Sequence, residues 1–169
     1  MNKNLKIEEL KRNITVFKSL LENLQPEQFN WRFNSDKWCL LEIMCHLVDE
    51  ERDDFRRRIR NILISPELPL NSIDPEGWVK SRKYICRDYI TELNNFLDER
   101  ENSIKWLEHL ENPKWDNFIN HPKFGNLSAD LVLTNWVAHD YLHIRQILRL
   151  KYEYLKNITG ENLSYAGEW

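Results

Sequence analysis

One segment constrains this chain more than any other. From Ser128 to about Leu155, apolar residues recur at helical spacing, with Val132, Trp136, Ile147 and Leu150 on one face. His139 and His143 stand four residues apart on that same face. In a helix both imidazoles therefore leave one side, a turn apart. They point into a seam between helices rather than at water, and Ser128 supplies an N-cap. Two imidazoles at i and i+4 are a good start for a transition-metal site, but not a complete one. The best candidate for a third ligand is His46, in Cys45-His46-Leu47-Val48-Asp49-Glu50.

The remaining segments have the same period. Leu10, Ile14, Phe17, Leu21 and Leu24 predict a first helix from about Lys6 to Leu24, stopped by Pro26. A second helix starts at Asn34, Ser35 or Asp36 and runs to about Ile64. Its stripe of Leu41, Met44, Val48, Phe55, Ile59 and Ile62 is interrupted by Glu51, and His46 lies on its flank with Glu42 and Glu50. Ser65 to about Arg82, with Pro66, Pro69, Pro75 and Gly77, reads as a long crossover anchored by Trp78. A third helix follows from Arg87 to Leu110, with Ile90, Leu93, Leu97, Ile104 and Leu107 inward. Trp115 to Asn126 is a further connector before the fourth helix, and the aromatic tail Ser164 to Trp169 is expected to dock on the bundle. Only 4 glycines in 169 residues and no strand-like alternation make the chain all-α. The expected architecture is one domain over residues 1–169, a four-helix bundle with a long crossover between helices two and three.

A formal net charge of −3 recruits no nucleic acid, and the basic run Arg52 to Arg60 is interleaved with Asp53, Asp54, Phe55 and Ile59. No apolar run is long enough to span a membrane. Three unevenly spaced cysteines, Cys39, Cys45 and Cys86, suggest reduced thiols and a cytoplasmic location. Asp49, Glu50 and Asp140 lie near the histidines in sequence, where one of them could orient a ring N–H or act as a general base. Glu50 and Cys45 are alternative fourth ligands, although an ion-pair role and a small buried hydrophobe suit them better. Arg145 and Gln146 could meet a substrate carboxylate, but the favoured reading is that they simply face water on the helix surface.

Taken together these stretches resemble a known family. Trp38-Cys-Leu-Leu-Glu42-Ile-Met-Cys-His46-Leu is similar to the DinB-like pattern of a tryptophan, an acid and a His-Leu pair at the start of helix two. His139-Asp140-Tyr-Leu-His143-Ile-Arg-Gln146 resembles that family's second motif, and the Trp78 region and the Tyr-x-Gly-x-Trp tail resemble it too. The resemblance implies an up-down-down-up bundle, often a homodimer, with one divalent metal on His46, His139 and His143. Zinc and nickel suit such a site best, with iron or manganese as alternatives. The activity implied is that of a metal-dependent transferase using a low-molecular-weight thiol, or of a hydrolase, acting on a small molecule. The alternative is a dimeric binding or stress-response protein whose metal is structural or absent. Trp31, Phe33, Trp78, Trp106 and Trp115, aromatics outside the expected core, are consistent with a subunit contact.

Overall fold

The computed structural model describes residues 3–68 and 72–167, so Pro69 of the crossover and the tail residues Glu168 and Trp169 lie outside the described residues. Helix α1 spans Lys3–Leu21. The chain leaves it through Asn23 at φ 59, a left-handed conformation that asparagine tolerates. Pro26 then opens the short helix α2, Pro26–Phe29, at a position where its missing N–H costs nothing.

Helix two of the bundle covers residues 40–64 in three pieces: α3 (Leu40–Asp49), a π-helical turn (Glu50–Phe55) and α4 (Arg56–Ile64). It begins later than the expected Asn34 to Asp36, because those residues are used in a turn closed by the Lys37 N–H on the Asn34 carbonyl. The N-cap is Cys39, whose N–H donates to Glu42 Oε2 at 3.0 Å, while Arg32 grips the same carboxylate with both Nη atoms. The crossover carries α5 (Pro75–Ser81) and a 3-10 turn (Tyr84–Cys86). Helix α6 spans Tyr89–Glu108, capped by the Asp88 side chain on the Thr91 N–H. Ile90, expected inward, is exposed; Phe96 and Arg100 take the inward face instead.

The expected connector after Trp115 contains a two-stranded hairpin, β1 (Phe118–His121) against β2 (Gly125–Ser128), with Ile119 opposite Leu127 on its buried side. Strands of four residues carry too little alternation to be read from sequence, and Gly125 at φ 67 lets the loop turn back. Helix α7, Ala129–Thr159, opens on Ser128 as expected, with the Leu131 N–H on Ser128 Oγ, and closes on left-handed Gly160. Beyond it Tyr165 is fully exposed, so that part of the tail does not dock.

Contacts between the long helices give the chain direction. Lys6 meets Asp130, Asn13 meets Asp140 and Lys151 meets the Leu20 carbonyl, so α1 and α7 run parallel. Tyr89 binds the Leu21 carbonyl and Arg100 that of Leu10, so α6 is antiparallel to α1. Glu51 meets Arg100 and Arg56 reaches Ser103, which makes helix two parallel to α6. The order is up-down-down-up, and it requires the long crossover. No helix among the described residues is long and apolar enough to cross a membrane.

The core is divided. One apolar cluster gathers Phe17, Leu21, Leu41, Val48, Phe96 and Ile147; the other gathers Leu10, Ile59, Ile62, Leu107, Leu133 and Trp136. Between them every long helix contributes a buried polar side chain: Asn13, Glu51, Arg100 and Asp140. Trp115 is buried in the second cluster, Trp106 packs against that cluster, and Trp31 and Trp78 pack against the first. These four tryptophans thus pack within one subunit, and only Phe33 of that set is exposed.

Candidate metal centre

His46 leaves the last turn of α3, and His139 and His143 leave the middle of α7, at the level of the polar belt. His139 Nε2 lies 3.2 Å from His46 Nε2 and 3.0 Å from His143 Nε2. The three rings together form a cluster able to hold a metal ion. For bonds of about 2.0–2.1 Å, tetrahedral ligand nitrogens stand about 3.3 Å apart, so both His139 pairings are close to the spacing a divalent ion needs. Gln146 Oε1 sits 2.9 Å from His143 Nδ1; an acceptor there draws the proton to Nδ1 and leaves Nε2 with its lone pair toward the cluster. The Trp38 ring packs 5.0 Å from His46 and the Phe55 ring 5.1 Å from His139.

Burial keeps these rings neutral. Loss of water, then the neighbouring His143, pushes His46 down to about 3. Loss of water likewise pushes His143 down to about 4, and His139 falls well below the usual range, with His143 and His46 adding to the effect. Three neutral imidazoles with converging nitrogens form a donor set suited to zinc, nickel or another divalent transition ion.

The acids take distinct places. Asp140, beside His139 in sequence, turns away from the rings: Arg100 Nη1 and Nη2 donate to its two oxygens at 2.7 Å each, and Asn13 Nδ2 adds a bond at 2.8 Å. Arg100 Nε also donates to Glu51 Oε1 at 2.9 Å, and Trp136 Nε1 donates to Glu51 Oε2 at 3.1 Å. This network sits directly behind the histidines and ties all four helices together. Asp49 accepts from the Tyr84 hydroxyl at 2.7 Å and pairs with Arg52 and Arg82. Glu50 lies one turn beyond His46 with its Oε1 buried and without a hydrogen-bond donor. Burial and the adjacent Asp54 carboxylate push it up to about 8, while Arg58 holds Asp54 at 2.6 Å. Neither Glu50 nor Cys45 belongs to the histidine cluster. Burial pushes the Cys45 thiol up to about 12, and its Sγ rests on the Tyr84 carbonyl. Glu42, which flanks His46 in sequence, serves as the helix cap described above.

Sequence reasoning missed Arg100 and the roles of Glu51 and Gln146. Arg100 was detectable: it stands seven residues after Leu93 and four before Ile104, in the inward stripe of its helix.

The fold has counterparts among known proteins. No curated protein matches the chain. Among solved structures, YfiT from Bacillus subtilis, described as a probable metal-dependent hydrolase with an unusual four-helix bundle topology, superposes with a TM-score of 0.78 at 17% identity, covering 95% of this chain and 89% of that one. The family model for the DinB superfamily matches residues 9–147, a span that takes in His46, His139, His143 and the polar belt, and the chain therefore belongs to the DinB superfamily.

Proposed function

We propose that the protein is a divalent-metal-dependent enzyme acting on a small molecule, and that hydrolysis is the reaction its site suits best. The observation that carries this is the convergence of three neutral imidazole nitrogens, on buried His46 and His143 and half-buried His139, with no fourth His, Cys, Asp or Glu ligand beside them among the described residues. A catalytic site keeps such a position open, whereas a structural one is closed by protein. When bound, a divalent ion supplies Lewis acidity that makes the proton of a water or thiol easier to remove. The description of YfiT as a probable metal-dependent hydrolase supports the same choice.

The chain's own residues divide the remaining work. Gln146 holds the His143 ring in orientation. Asp140 acts from behind through Arg100, setting α7 against α6, and Asp49 anchors the crossover through Tyr84. Glu50 is the proton carrier, because it holds a proton near neutral pH and has an oxygen free of donors. Transfer of a low-molecular-weight thiol is the second reading; it uses the same open position and is told apart by turnover that requires added thiol.

Elemental analysis of untagged protein tests the metal reading. One equivalent of zinc, nickel, iron or manganese in the wild type and a loss in His143→Ala are expected. Equal, substoichiometric metal in both samples removes the reading. We further propose that the protein works in the cytoplasm as a homodimer, supported by its free cysteines and by exposed Tyr141, Leu148 and Leu155 at seven-residue spacing on α7. Sedimentation showing only a 20.6 kDa species rejects the dimer.

A further inference from the structure

Two side chains that touch the histidines also line a cavity beside them. Trp38 packs on His46, Gln146 bonds His143, and both border a cavity of about 240 Å³ with Phe33, Lys37, Arg149 and Leu150. A wider opening of about 640 Å³ is bordered by His143, Arg145, Gln146 and Arg149. The two adjoin through Gln146 and Arg149, making a groove that leads from the metal centre to an aromatic floor.

Along this groove lie two arginines that, like Arg57 and Arg60, have no carboxylate partner among the described residues. Arg32, Arg56, Arg58, Arg82, Arg87 and Arg100 each pair with a carboxylate. Among the described residues, Arg145 and Arg149 have no ion-pair or hydrogen-bond partner, although they stand one helical turn apart, where like charges repel. Lys37 adds a third cation, itself paired with Asp36 at 3.2 Å, and Glu153 is the one acid on the lining. Unpaired guanidiniums beside an apolar wall match an anionic head and an apolar body, because the planar fork binds carboxylate or phosphate in two-point fashion.

We propose that this groove is the substrate-recognition face of the metal centre and that it takes an organic anion with an aromatic or branched apolar body. The carboxylate or phosphate head lies against Arg145 and Arg149, and the body packs on Phe33, Trp38 and Leu150. Glu153, one turn beyond Arg149, disfavours a second anionic group at the far end. The proposal rests on the metal-dependent reading above for its role in a reaction, but the binding it describes does not need the metal.

The test is calorimetric titration of full-length, untagged, chelator-treated protein with 2-naphthoate, 2-naphthyl phosphate and the neutral 2-naphthylmethanol, with metal content measured on untreated samples of the same preparations. At least one of the anions is expected to bind about tenfold or more tightly than the alcohol, a difference set by the charged head alone. Which anion binds better identifies the head group. Arg145→Gln/Arg149→Gln is expected to remove that preference with helicity unchanged, since both residues are exposed, and Glu153→Gln is expected to tighten anion binding. Anions binding no better than the alcohol, or unaffected by the double substitution, overturn the proposal. Anion binding in preparations that carry no metal leaves this proposal standing and removes the metal reading; metal in the site without anion preference does the reverse.

Discussion

Arg100→Met is expected to be among the most damaging single changes in this protein that leave the apolar core intact. The guanidinium is 1% exposed and donates to Glu51 at 2.9 Å and to both oxygens of Asp140 at 2.7 Å. Removing one partner of a buried ion pair costs about 3–5 kcal/mol, because the remaining charge is left in a poor solvent. Here two carboxylates are left, but Glu51 keeps the Trp136 N–H and Asp140 keeps the Asn13 amide, so a cost of about 4 kcal/mol is taken from within that range. In a chain of 169 residues each kcal/mol moves Tm by about 2–4 °C, which gives a fall of roughly 8–16 °C. The loss also has a pH signature. Burial already pushes the Glu51 carboxyl up, and Arg100 pulls it back. Without Arg100 the folded state binds a proton more readily than the unfolded chain, so stability falls as pH rises between the two pKa values. The deficit relative to wild type is therefore smaller near pH 5 than near pH 7.5. Calorimetric melts at both pH values, with Arg100→Met/Glu51→Gln/Asp140→Asn as the neutral control, test this. A single variant that melts within about 3 °C of wild type at both pH values refutes the electrostatic account of the belt.

Other outcomes follow from the same geometry. His139→Ala and His143→Ala should lose metal and any hydrolytic or thiol-transfer turnover while keeping helicity, because the two apolar clusters do not depend on the rings; circular dichroism showing an unfolded variant would make the metal structural. In metal-stripped protein, His46 at about 3 and His143 at about 4 bind fewer protons folded than unfolded, so stability should drop as pH falls from about 6.5 toward 4, as read by urea titration. His46→Phe/His143→Gln should show a shallower drop, and an unchanged slope would remove the explanation. Ser128→Ala should cost about 1 kcal/mol in a denaturant series by leaving the Leu131 N–H without its cap.

Much of the fold was legible because the relevant signals are periodic. The stripe through Val132, Trp136, Ile147 and Leu150 is buried on α7 as read, and the histidines share its face. The triad was legible as spacing plus resemblance, and the rings do converge. What could not be read depends on tertiary partners. The π-helical turn at Glu50–Phe55 adds a residue to one turn, and its effect is to aim Glu51 at Arg100 while Phe55 still packs on Trp136. A period of 3.6 makes Glu51 look like an interruption, when it is half of a buried pair whose other half lies 49 residues away. The cap at Cys39 was hidden for a related reason: cysteine is a poor N-cap, and Glu42 does the work with Arg32 behind it.

The up-down-down-up order also has a consequence for how the chain assembles during synthesis. The first helix rests on α6 and α7, and its bonds to α7 close separations of 124, 127 and 131 residues. An up-and-down bundle lets helix one pair with helix two as soon as both have left the ribosome. Here Leu10, Phe17 and Leu21 must wait for residues synthesised long after them. Until α6 emerges α1 is an amphipathic helix without a partner, and a nascent chain halted before α6 displays an apolar stripe that holding chaperones can grip.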